Sequence, residues 1–383
     1  MSDEATKVCI LAPVHPYDDI RVFRKEAKSL ARAGYRVQLI ARAEAALEED
    51  GVEVLPLRYR HRWQRFPLQP WLLWRVLRTG ASIVHLHNPD TLPIGFALKL
   101  LGRRVVYDTH ENYRLLLLDK EWLPRCTRRP LAHAVDGLER LAARVFDQTI
   151  VTQVAQVAHF GPRTTLIENP PITTGPLVAE AQRLAQTLPR EQLLRVCYLG
   201  LIKEDRGLFQ MVEALERVNQ RHPARLWLIG RPASADLIPR AQALAGWRYV
   251  DYLGFLPSQA QAFAHLGAAD VCLATFLPWG DNERVNINKF FEAALFGKPV
   301  IASDFPIWRS YVRDVDCARF VDPRDPAAIA EALTWVAEHP REARALGANG
   351  QHFVQQHYNW ELESQKLLAV YQRLAPRPPG RVA

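Results

Sequence analysis

Residues 8–41 read VCILAPVHPYDDIRVFRKEAKSLARAGYRVQLIA, and this stretch predicts a βαβ unit. Two aliphatic runs, Val8 to Ala12 and Val37 to Ala41, have the composition of buried strands. Between them, apolar residues recur at helical spacing from Val22 to Ala31, and Gly34 stands where a helix C-cap is expected. Two parallel strands joined by a helix are the building block of an open α/β sheet.

The same alternation continues along the whole chain. Further runs of the first series are Val52 to Leu57, Ile83 to His87, Val105 to Asp108 and Thr149 to Thr152. The segment Glu168 to Ile172 contains two prolines, which disfavour both helix and sheet, so we place a hinge there. A second series follows, with runs at Val196 to Leu199, Leu226 to Ile229, Val250 to Tyr252, Val271 to Ala274, Val300 to Ala302 and Arg319 to Val321.

The predicted fold class is therefore α/β, with two Rossmann-like domains facing each other across a cleft. We expect an N-terminal domain over residues 1–172, a C-terminal domain over 173–358, and a final helix and tail over 359–383. Open α/β sheets bind ligands outside the carboxyl ends of their strands, so the expected site is the cleft between the two sheets.

Composition excludes several classes of protein. Of 383 residues, 48% are hydrophobic and 23% are charged, which is typical of a soluble globular protein. No apolar run approaches the roughly 20 residues of a membrane-spanning helix, and the start MSDEATK lacks the features of a secretory signal. A cytoplasmic location is expected. The five cysteines are widely spaced, which favours neither a disulfide framework nor a zinc site.

The formal charge of +8 is unevenly distributed. Residues 1–172 hold 25 basic against 19 acidic residues, a net charge of +6, and residues 173–383 hold 24 against 22, a net charge of +2. Such an excess suits an anionic partner: a lipid surface, a phosphorylated substrate or nucleic acid.

The segment 286–303 reads NINKFFEAALFGKPVIAS and predicts a helix capped by Asn288 and ending at Gly297. An anion is favoured at the start of such a helix, where Lys289 adds a full positive charge. Glu292, one turn on, can accept two hydrogen bonds from the vicinal diol of a ribose. The alternative is that Lys289 and Glu292 form an ordinary i,i+3 surface pair.

This segment resembles the C-terminal signature of retaining glycosyltransferases of family 4, which have the GT-B architecture. The pattern K-x-F-E-x-x-x-x-G-x-P-V-I-A-S is matched, and Glu292 corresponds to the second glutamate of the family's E-x7-E motif. The position of the first glutamate is occupied by Arg284, with Glu283 one place off register. In GT-B proteins the last helix crosses back onto the first domain, and the resemblance implies the same here.

A second match is the loop YLGLIKEDRG at 198–207, which in the family holds the donor diphosphate. Arg206 stands where the family usually has a lysine before glycine, and Leu201 replaces the family's other basic residue. The resemblance thus makes Arg206, Asn288, Lys289 and Glu292 the expected donor-binding residues. The alternative for Arg206 is a solvated residue at a helix start.

In the first half, the family places a histidine against the donor sugar at the end of a strand, and His110 in YDTHEN matches it. We take His110 as the catalytic residue, acting as positioner and charge stabiliser. The start of the chain is similar to the family's H-x-x-x-D-x-R, which makes His15, Asp19 and Arg21, with Glu111, candidates for binding acceptor or sugar. The alternatives are a structural histidine and turn capping.

A basic and aromatic stretch lies between Arg58 and Arg78. It contains six arginines and no acidic residue, interleaved with Trp63, Phe66, Trp71 and Trp74. This mixture suits the headgroup layer of an anionic membrane, and peripheral association with the inner face of the cell membrane is one expectation. The alternative is that the tryptophans pack under an ordinary helix. Nucleic acid is not expected, because no motif for it accompanies the stretch.

Together these matches predict a retaining glycosyltransferase that moves a sugar from a nucleotide-diphosphate sugar to a hydroxyl of a sugar or lipid-linked acceptor, in polysaccharide or glycolipid biosynthesis. The resemblance implies no metal and no cofactor beyond the donor substrate. Alternatives are a nucleotide-sugar epimerase, a sugar phosphorylase or a non-catalytic partner subunit. An NAD-dependent oxidoreductase is disfavoured, because the chain lacks G-x-G-x-x-G after its first strand.

Overall fold

The structure is a computed structural model that describes residues 5–118, 120, 123–280, 282–284 and 288–374. It contains two compact units, one formed by the chain up to Asn169 together with the segment from Glu361, and the other by Pro170–Trp360. Each unit has its own sheet with helices around it. The sequence places the two boundaries after residues 172 and 358.

The sheet of the first unit has eight strands. They are β1 (Lys7–Pro16), β2 (Arg36–Arg42), β3 (Leu47–Glu49), β4 (Val52–Leu57), β5 (Ile83–His87), β6 (Arg104–Thr109), β7 (Gln148–Val151) and β8 (Thr164–Leu166). Their order is β3-β4-β2-β1-β5-β6-β7-β8, and all neighbours are parallel except β3 and β4. The chain reverses its direction of winding between β1 and β5, which is the position where open α/β sheets bind ligands.

The helices of the first unit follow the predicted alternation. They are a π-helix at Ile20–Ala27, α1 (Lys28–Arg32), α2 (Gln69–Arg78), α3 (Leu92–Leu100), α4 (Tyr113–Leu118), α5 (Arg125–Val145) and α6 (Val154–Phe160), with single 3-10 turns at Arg62–Arg65 and Pro89–Thr91. Gly34 has φ 85° and donates its N–H to the carbonyl of Ala31 at 2.9 Å, so the predicted end of the first helical segment is confirmed.

The second unit has a six-stranded, fully parallel sheet in the order β11-β10-β9-β12-β13-β14. Its strands are β9 (Leu194–Leu199), β10 (Ala224–Ile229), β11 (Val250–Gly254), β12 (Val271–Ala274), β13 (Val300–Ser303) and β14 (Ala318–Val321). Its helices are α7 (Pro176–Ala185), α8 (Leu208–Val218), α9 (Leu237–Gln242), α10 (Gln259–Ala268), α11 (Asn288–Leu295), α12 (Pro306–Tyr311), α13 (Pro326–Glu338) and α14 (Pro340–His357), with 3-10 turns at Glu204–Arg206 and Ala245–Tyr249.

The last helix, α15 (Trp360–Leu374), packs onto the first unit. Tyr371 is fully buried and its hydroxyl lies 2.8 Å from Nδ1 of His85 in β5. A carboxylate oxygen of Glu363 accepts a hydrogen bond from the backbone N–H of Glu168 at 2.9 Å. The prediction that the final helix crosses back to the N-terminal domain is therefore confirmed. Among the described helices, none combines the length and the apolar character that a membrane span requires.

A buried carboxyl group in the first unit gives its stability a specific pH dependence. Glu139 of α5 is 3% exposed and accepts hydrogen bonds from Tyr107 at 2.8 Å and Thr109 at 3.1 Å. Burial nevertheless raises the pKa of Glu139 to about 7, because desolvation disfavours the charged form. The folded state thus holds this proton up to neutral pH, whereas the unfolded chain releases it near pH 4.5.

Glu139→Gln is expected to remove this dependence. The contribution of Glu139 to stability is fully present below about pH 4.5 and is lost as the pH rises to about 7. Between pH 5 and pH 8 the free energy of unfolding of the variant, measured by urea titration, should therefore rise relative to the unmodified protein by on the order of 2 kcal/mol. The same exchange at exposed Glu331 serves as the control and should give no such change. If the free energy of unfolding depended on pH in the same way for Glu139→Gln and for the unmodified protein, the raised pKa of Glu139 would be contradicted.

Candidate active site

The carboxyl ends of the central strands of the second unit meet in a tightly packed set of loops. A Cβ atom at Gly230, after β10, would lie 1.7 Å from the carbonyl oxygen of Gly200, after β9. A Cβ atom at Gly207 would lie 2.1 Å from the carbonyl oxygen of Thr275, after β12. Because no side chain fits at these distances, the glycines allow the three loops to approach at the point between β9 and β12 where the chain reverses its winding.

Lys289 lies at this same point. A Cβ atom at Gly200 would be 2.6 Å from its Cε atom, so the lysine side chain runs directly along the loop that follows β9. Nζ of Lys289 is 3.3 Å from a carboxylate oxygen of Glu292, and the side chains are 32% and 17% exposed. The i,i+3 pair that the sequence offered as the alternative is thus formed. It is formed at the carboxyl edge of the sheet, where a ligand would meet both groups.

The start of α11 differs from the prediction by one position. The helix includes Asn288 as its first residue, whereas the sequence places Asn288 at the preceding cap. Asn286 and Ile287 of the motif lie outside the described residues. Glu283 and Arg284, which flank the family's first glutamate position, are exposed in a turn.

Arg206 stacks on an aromatic ring at the same edge of the sheet. It ends the 3-10 turn Glu204–Arg206, and its guanidinium carbon lies 3.9 Å from the ring centroid of Phe276, which follows β12 by two residues. A guanidinium that lies over a ring can still donate hydrogen bonds to an oxyanion. Asp205 pairs with two cations: one carboxylate oxygen lies 3.0 Å from Nζ of Lys203, and the other lies 3.9 Å from Nε of Arg206. The solvated alternative for Arg206 is not what the structure shows, because the side chain is only 27% exposed.

In the first unit, histidines collect at the carboxyl ends of β1, β5 and β6. The ring centroids of His15 and His110 are 5.3 Å apart in an edge-to-face arrangement, and those of His87 and His110 are 5.6 Å apart. His85 and His87 stack at 4.7 Å and are fully buried. Three of the four histidines thus surround one point beside the β1/β5 reversal.

The two partly exposed members of this group, His15 and His110, are oriented by carboxylates. Nδ1 of His110 lies 3.2 Å from Oδ1 of Asp108, and Nδ1 of His15 lies 3.2 Å from Oδ2 of Asp19. The other oxygen of Asp19 accepts the backbone N–H groups of Arg21 and Val22, both at 2.9 Å, so Asp19 also caps the following helix. Burial would raise the pKa of Asp19, but the hydrogen bond and charge of His15 lower it. The capping alternative and the contact with His15 are therefore both present.

Arg21 occupies a different place from the predicted one. It is 5% exposed, and it donates to Oδ2 of Asp108 at 2.8 Å and to the carbonyls of Ile167 and Glu168 at 3.3 Å. Its Nε lies 2.9 Å from a carboxylate oxygen of Glu26. Contact of Arg21 with acceptor or sugar is not supported by this geometry, because its donors already face these groups.

Glu111 and Asn88 complete this edge of the sheet. The backbone carbonyl of Glu111 accepts from Gln156 at 3.1 Å, while its side chain is exposed. Asn88 follows β5 with φ 72°, a left-handed conformation that a non-glycine residue adopts at a cost, and its side-chain amide donates to the hydroxyl of Tyr113 at 2.7 Å.

The buried groups beneath His110 include a set with metal-ligand chemistry. Glu26, His85, His87 and Asp108 each offer one ligand atom, and these atoms lie within 4.8 Å of one another. Arg21, however, contacts both carboxylates and already supplies a positive charge. Burial and the charge of Asp108 raise the pKa of Glu26 well above its usual range, which favours its neutral form. Arg21 and ionised Asp108 then balance, and a divalent ion would leave an uncompensated buried charge.

Sequence reasoning missed Glu26, His85 and His87 as parts of this group. Glu26 lies at helical spacing from the buried apolar residues Val22, Phe23 and Leu30, and the two histidines alternate within an otherwise aliphatic strand. The sequence did contain a signal for them: each is a polar residue at a position where the apolar pattern of its helix or strand predicts burial.

Comparison with known proteins identifies the family. Residues 21–160 match the family described as Glycosyltransferase Family 4, and residues 194–339 match the family described as Glycosyl transferases group 1. The chain belongs to glycosyltransferase family 4. The suspected resemblance is thereby confirmed, and both units of the glycosyltransferase are covered.

Relatives of this glycosyltransferase include proteins named as a rhamnosyltransferase and as a mannosyltransferase. A D-rhamnosyltransferase, WbpZ, of Pseudomonas aeruginosa is 26% identical over 290 residues, which is 75% of this chain and 72% of that protein. A phosphatidyl-myo-inositol mannosyltransferase of Mycobacterium leprae is 24% identical over 364 residues, which is 91% of each chain.

Solved structures confirm the GT-B fold of the glycosyltransferase. Sucrose-phosphate synthase from Thermosynechococcus elongatus superposes with a TM-score of 0.75 at 20% identity, covering 96% of this chain and 99% of that one. Anabaena HepE in complex with UDP-glucose gives a TM-score of 0.70 at 17% identity, with coverage of 96% and 99%. At these identities the likeness concerns the fold.

Proposed function

We propose that this glycosyltransferase transfers a sugar from a nucleoside-diphosphate sugar to an acceptor hydroxyl with retention of the anomeric configuration, without a metal ion. The observation that carries the proposal is the placement of Lys289, Glu292 and Arg206 at the carboxyl edge of the second sheet, at its reversal point. HepE, which shares the fold, is described in complex with UDP and with UDP-glucose.

The Lys289–Glu292 pair suits a site that alternates between free and bound states. At 3.3 Å and partly exposed, such a pair contributes less than about 1 kcal/mol, so a diphosphate can displace Glu292 from Lys289 at small cost. The released carboxylate then accepts hydrogen bonds from the two hydroxyls of a ribose. Arg206 and the backbone N–H groups at the start of α11 add positive potential where charge grows on the leaving diphosphate.

The proposed reaction needs no covalent intermediate on the protein. The bond from the anomeric carbon to the diphosphate oxygen breaks, and its electron pair leaves with the nucleoside diphosphate. The acceptor oxygen forms its bond on the same face, and its proton passes to the leaving phosphate. His110 holds a sugar hydroxyl and stabilises charge, while Asp108, its neighbour, is committed to Arg21 and is not available as a nucleophile.

We place the acceptor in a cavity of about 1000 Å³ in the first unit. It is lined by the loops that follow β1, β2 and β4, which all end at the carboxyl edge of the sheet. Its lining includes Arg42, Arg58 and Arg60 with the rings of Tyr59 and Trp63. Guanidinium groups beside aromatic rings suit an anionic group joined to a sugar, as in a phosphorylated glycolipid. A role in polysaccharide or glycolipid biosynthesis of the cell envelope fits the names of the relatives.

We further propose that the basic and aromatic stretch between Arg58 and Arg78 binds peripherally to an anionic membrane. Helix α2 buries Leu72 and Val76, and it presents Trp71 and Trp74, 41% and 50% exposed, on its outer side. Arg75 and Arg78 lie over these two rings at 4.9 and 4.8 Å. The tryptophans are thus not packed under the helix, which was the alternative from sequence. Leu115 to Leu118, in α4, are partly exposed.

Donor binding is tested by thermal shift with a panel of nucleoside diphosphates and their sugars. A ligand at 100 times its dissociation constant should stabilise the fold by about 2.7 kcal/mol. Lys289→Ala and Glu292→Ala should each abolish the shift and leave the melting temperature without ligand nearly unchanged. Arg183→Ala, which breaks an exposed i,i+3 pair with Glu180 on α7, is the matched control and should keep the full shift. A shift that persists in both site variants would place the donor elsewhere.

The products of turnover distinguish the enzyme classes and the stereochemistry. With a donor of known anomeric configuration, the new glycoside should show the same configuration in its one-bond C1–H1 coupling by NMR. An inverted glycoside would contradict retention. An isomerised donor or a sugar phosphate as the sole product would identify an epimerase or a phosphorylase, and no turnover without a partner protein would favour a subunit role.

Membrane association is tested by cosedimentation with vesicles of phosphatidylcholine alone and with added phosphatidylglycerol. The protein should bind the anionic vesicles, and the double variant Trp71→Ala/Trp74→Ala should bind about 10-fold more weakly, because the rings enter the headgroup layer. Trp279→Ala, which removes a 48% exposed tryptophan of the second unit, is the control and should bind as the unmodified protein does. Equal binding by the double variant would refute this use of α2.

A further inference from the structure

Several hydrogen-bond donors face the carboxylate of Asp108, and their arrangement determines which ring nitrogen of His110 carries a hydrogen. Arg21 donates to Oδ2 of Asp108 at 2.8 Å. Burial would raise the pKa of Asp108, but Arg21, His110 and His85 together hold it well below its usual range. Asp108 is therefore ionised and can only accept hydrogen bonds.

It follows that Nδ1 of His110 carries a hydrogen. This nitrogen lies 3.2 Å from Oδ1 of Asp108, and a lone pair on it would face the lone pairs of a carboxylate. In a neutral imidazole, Nε2 is then the acceptor. Among the residues that the structure describes, none forms a hydrogen bond with Nε2 of His110, and this atom is not enclosed.

A second histidine, His85, faces the other carboxylate oxygen of Asp108. Nε2 of His85 lies 3.8 Å from Oδ2 of Asp108, and its Nδ1 lies 2.8 Å from the hydroxyl of Tyr371. Burial lowers the pKa of His85 and raises that of Tyr371 well above its usual range, so both are neutral. Tyr371 can then donate to Nδ1 of His85 while Nε2–H faces the carboxylate. Helix α15 is thus connected to the acid that orients His110.

We propose that Asp108 is a positioning residue that fixes His110 in the Nδ1–H tautomer, so that Nε2 accepts a hydrogen bond from a hydroxyl of the transferred sugar. The second part of this proposal rests on the proposed glycosyltransferase reaction, while the first part does not. The groups that face Asp108 are Arg21 and Glu26 of the π-helix, His85 and His87 of β5, and His110.

Asp108→Asn tests the proposal because Arg21 also determines how the new amide is oriented. The guanidinium requires an acceptor, so the amide oxygen must face Arg21 and the NH2 group must face Nδ1 of His110. Nδ1 then becomes an acceptor, and the proton moves to Nε2. The hydroxyl that donated to Nε2 loses its partner, which should lower kcat by about 10-fold. The nucleotide concentration that gives half of the maximal thermal shift should change by less than about 2-fold, because the nucleotide site lies in the second unit.

The tautomer is read directly from two-bond 1H–15N correlations of the imidazole rings, with His110→Gln used to assign the signals. The unmodified protein should show Nδ1–H at His110, and D108N should show Nε2–H. Glu139→Gln replaces another buried carboxyl by its amide, next to the same strand, and should change neither the tautomer nor kcat.

The outcomes separate the two proposals. Nε2–H at His110 in the unmodified protein, or an unchanged tautomer in D108N, would overturn the role of Asp108 even if no sugar transfer is found. If the tautomer changes as expected but kcat stays within 2-fold, the hydrogen bond to the sugar is wrong. Should D108N fail to fold, the tautomer of the unmodified protein still decides the first part.

Discussion

The first unit depends on the ion pair between Arg21 and Asp108. Both side chains are buried, 5% and 0% exposed, and a buried charge that loses its partner costs several kcal/mol. Arg21 comes from the helix after β1 and Asp108 from β6, and β5 lies between these strands. The pair therefore connects three central strands where the sheet reverses. His110 follows Asp108 by two residues, so its position depends on this pair as well.

In the second unit, the elements at the reversal point of the sheet are brought together by close backbone contacts rather than by a buried ion pair. Its loops after β9, β10 and β12 approach so closely that Gly200, Gly207 and Gly230 admit no side chain. The space that the missing side chains leave is occupied by carbonyl groups and by the stem of Lys289. Here the charged groups remain partly exposed and weakly paired, as a site for a multiply charged ligand requires.

Much of this arrangement could be predicted from sequence, and the exceptions have identifiable causes. Twelve strands were visible as aliphatic runs, whereas β3 and β8 were not, because each has three residues and few apolar side chains. The donor-site residues lie within two short segments, so local pattern sufficed to find them. The similarity of the start of the chain to the family's H-x-x-x-D-x-R made Arg21 a candidate for binding acceptor or sugar. Its partner Asp108 is 87 residues away, and only the folded sheet brings the two together.

The carboxyl edges of the two sheets also differ in how their charge is balanced. This difference indicates which part of the substrate each unit binds. The first half has the larger net charge, +6, yet Arg21 at its sheet edge is neutralised by buried carboxylates. This edge offers imidazole side chains, which can form hydrogen bonds with hydroxyl groups. The excess positive charge of the first half includes the arginines between Arg58 and Arg78. The second half is nearly neutral overall, but Lys289 and Arg206 are placed at its edge with only partial compensation. A diphosphate is therefore held better by the second unit, and sugar hydroxyls by the first.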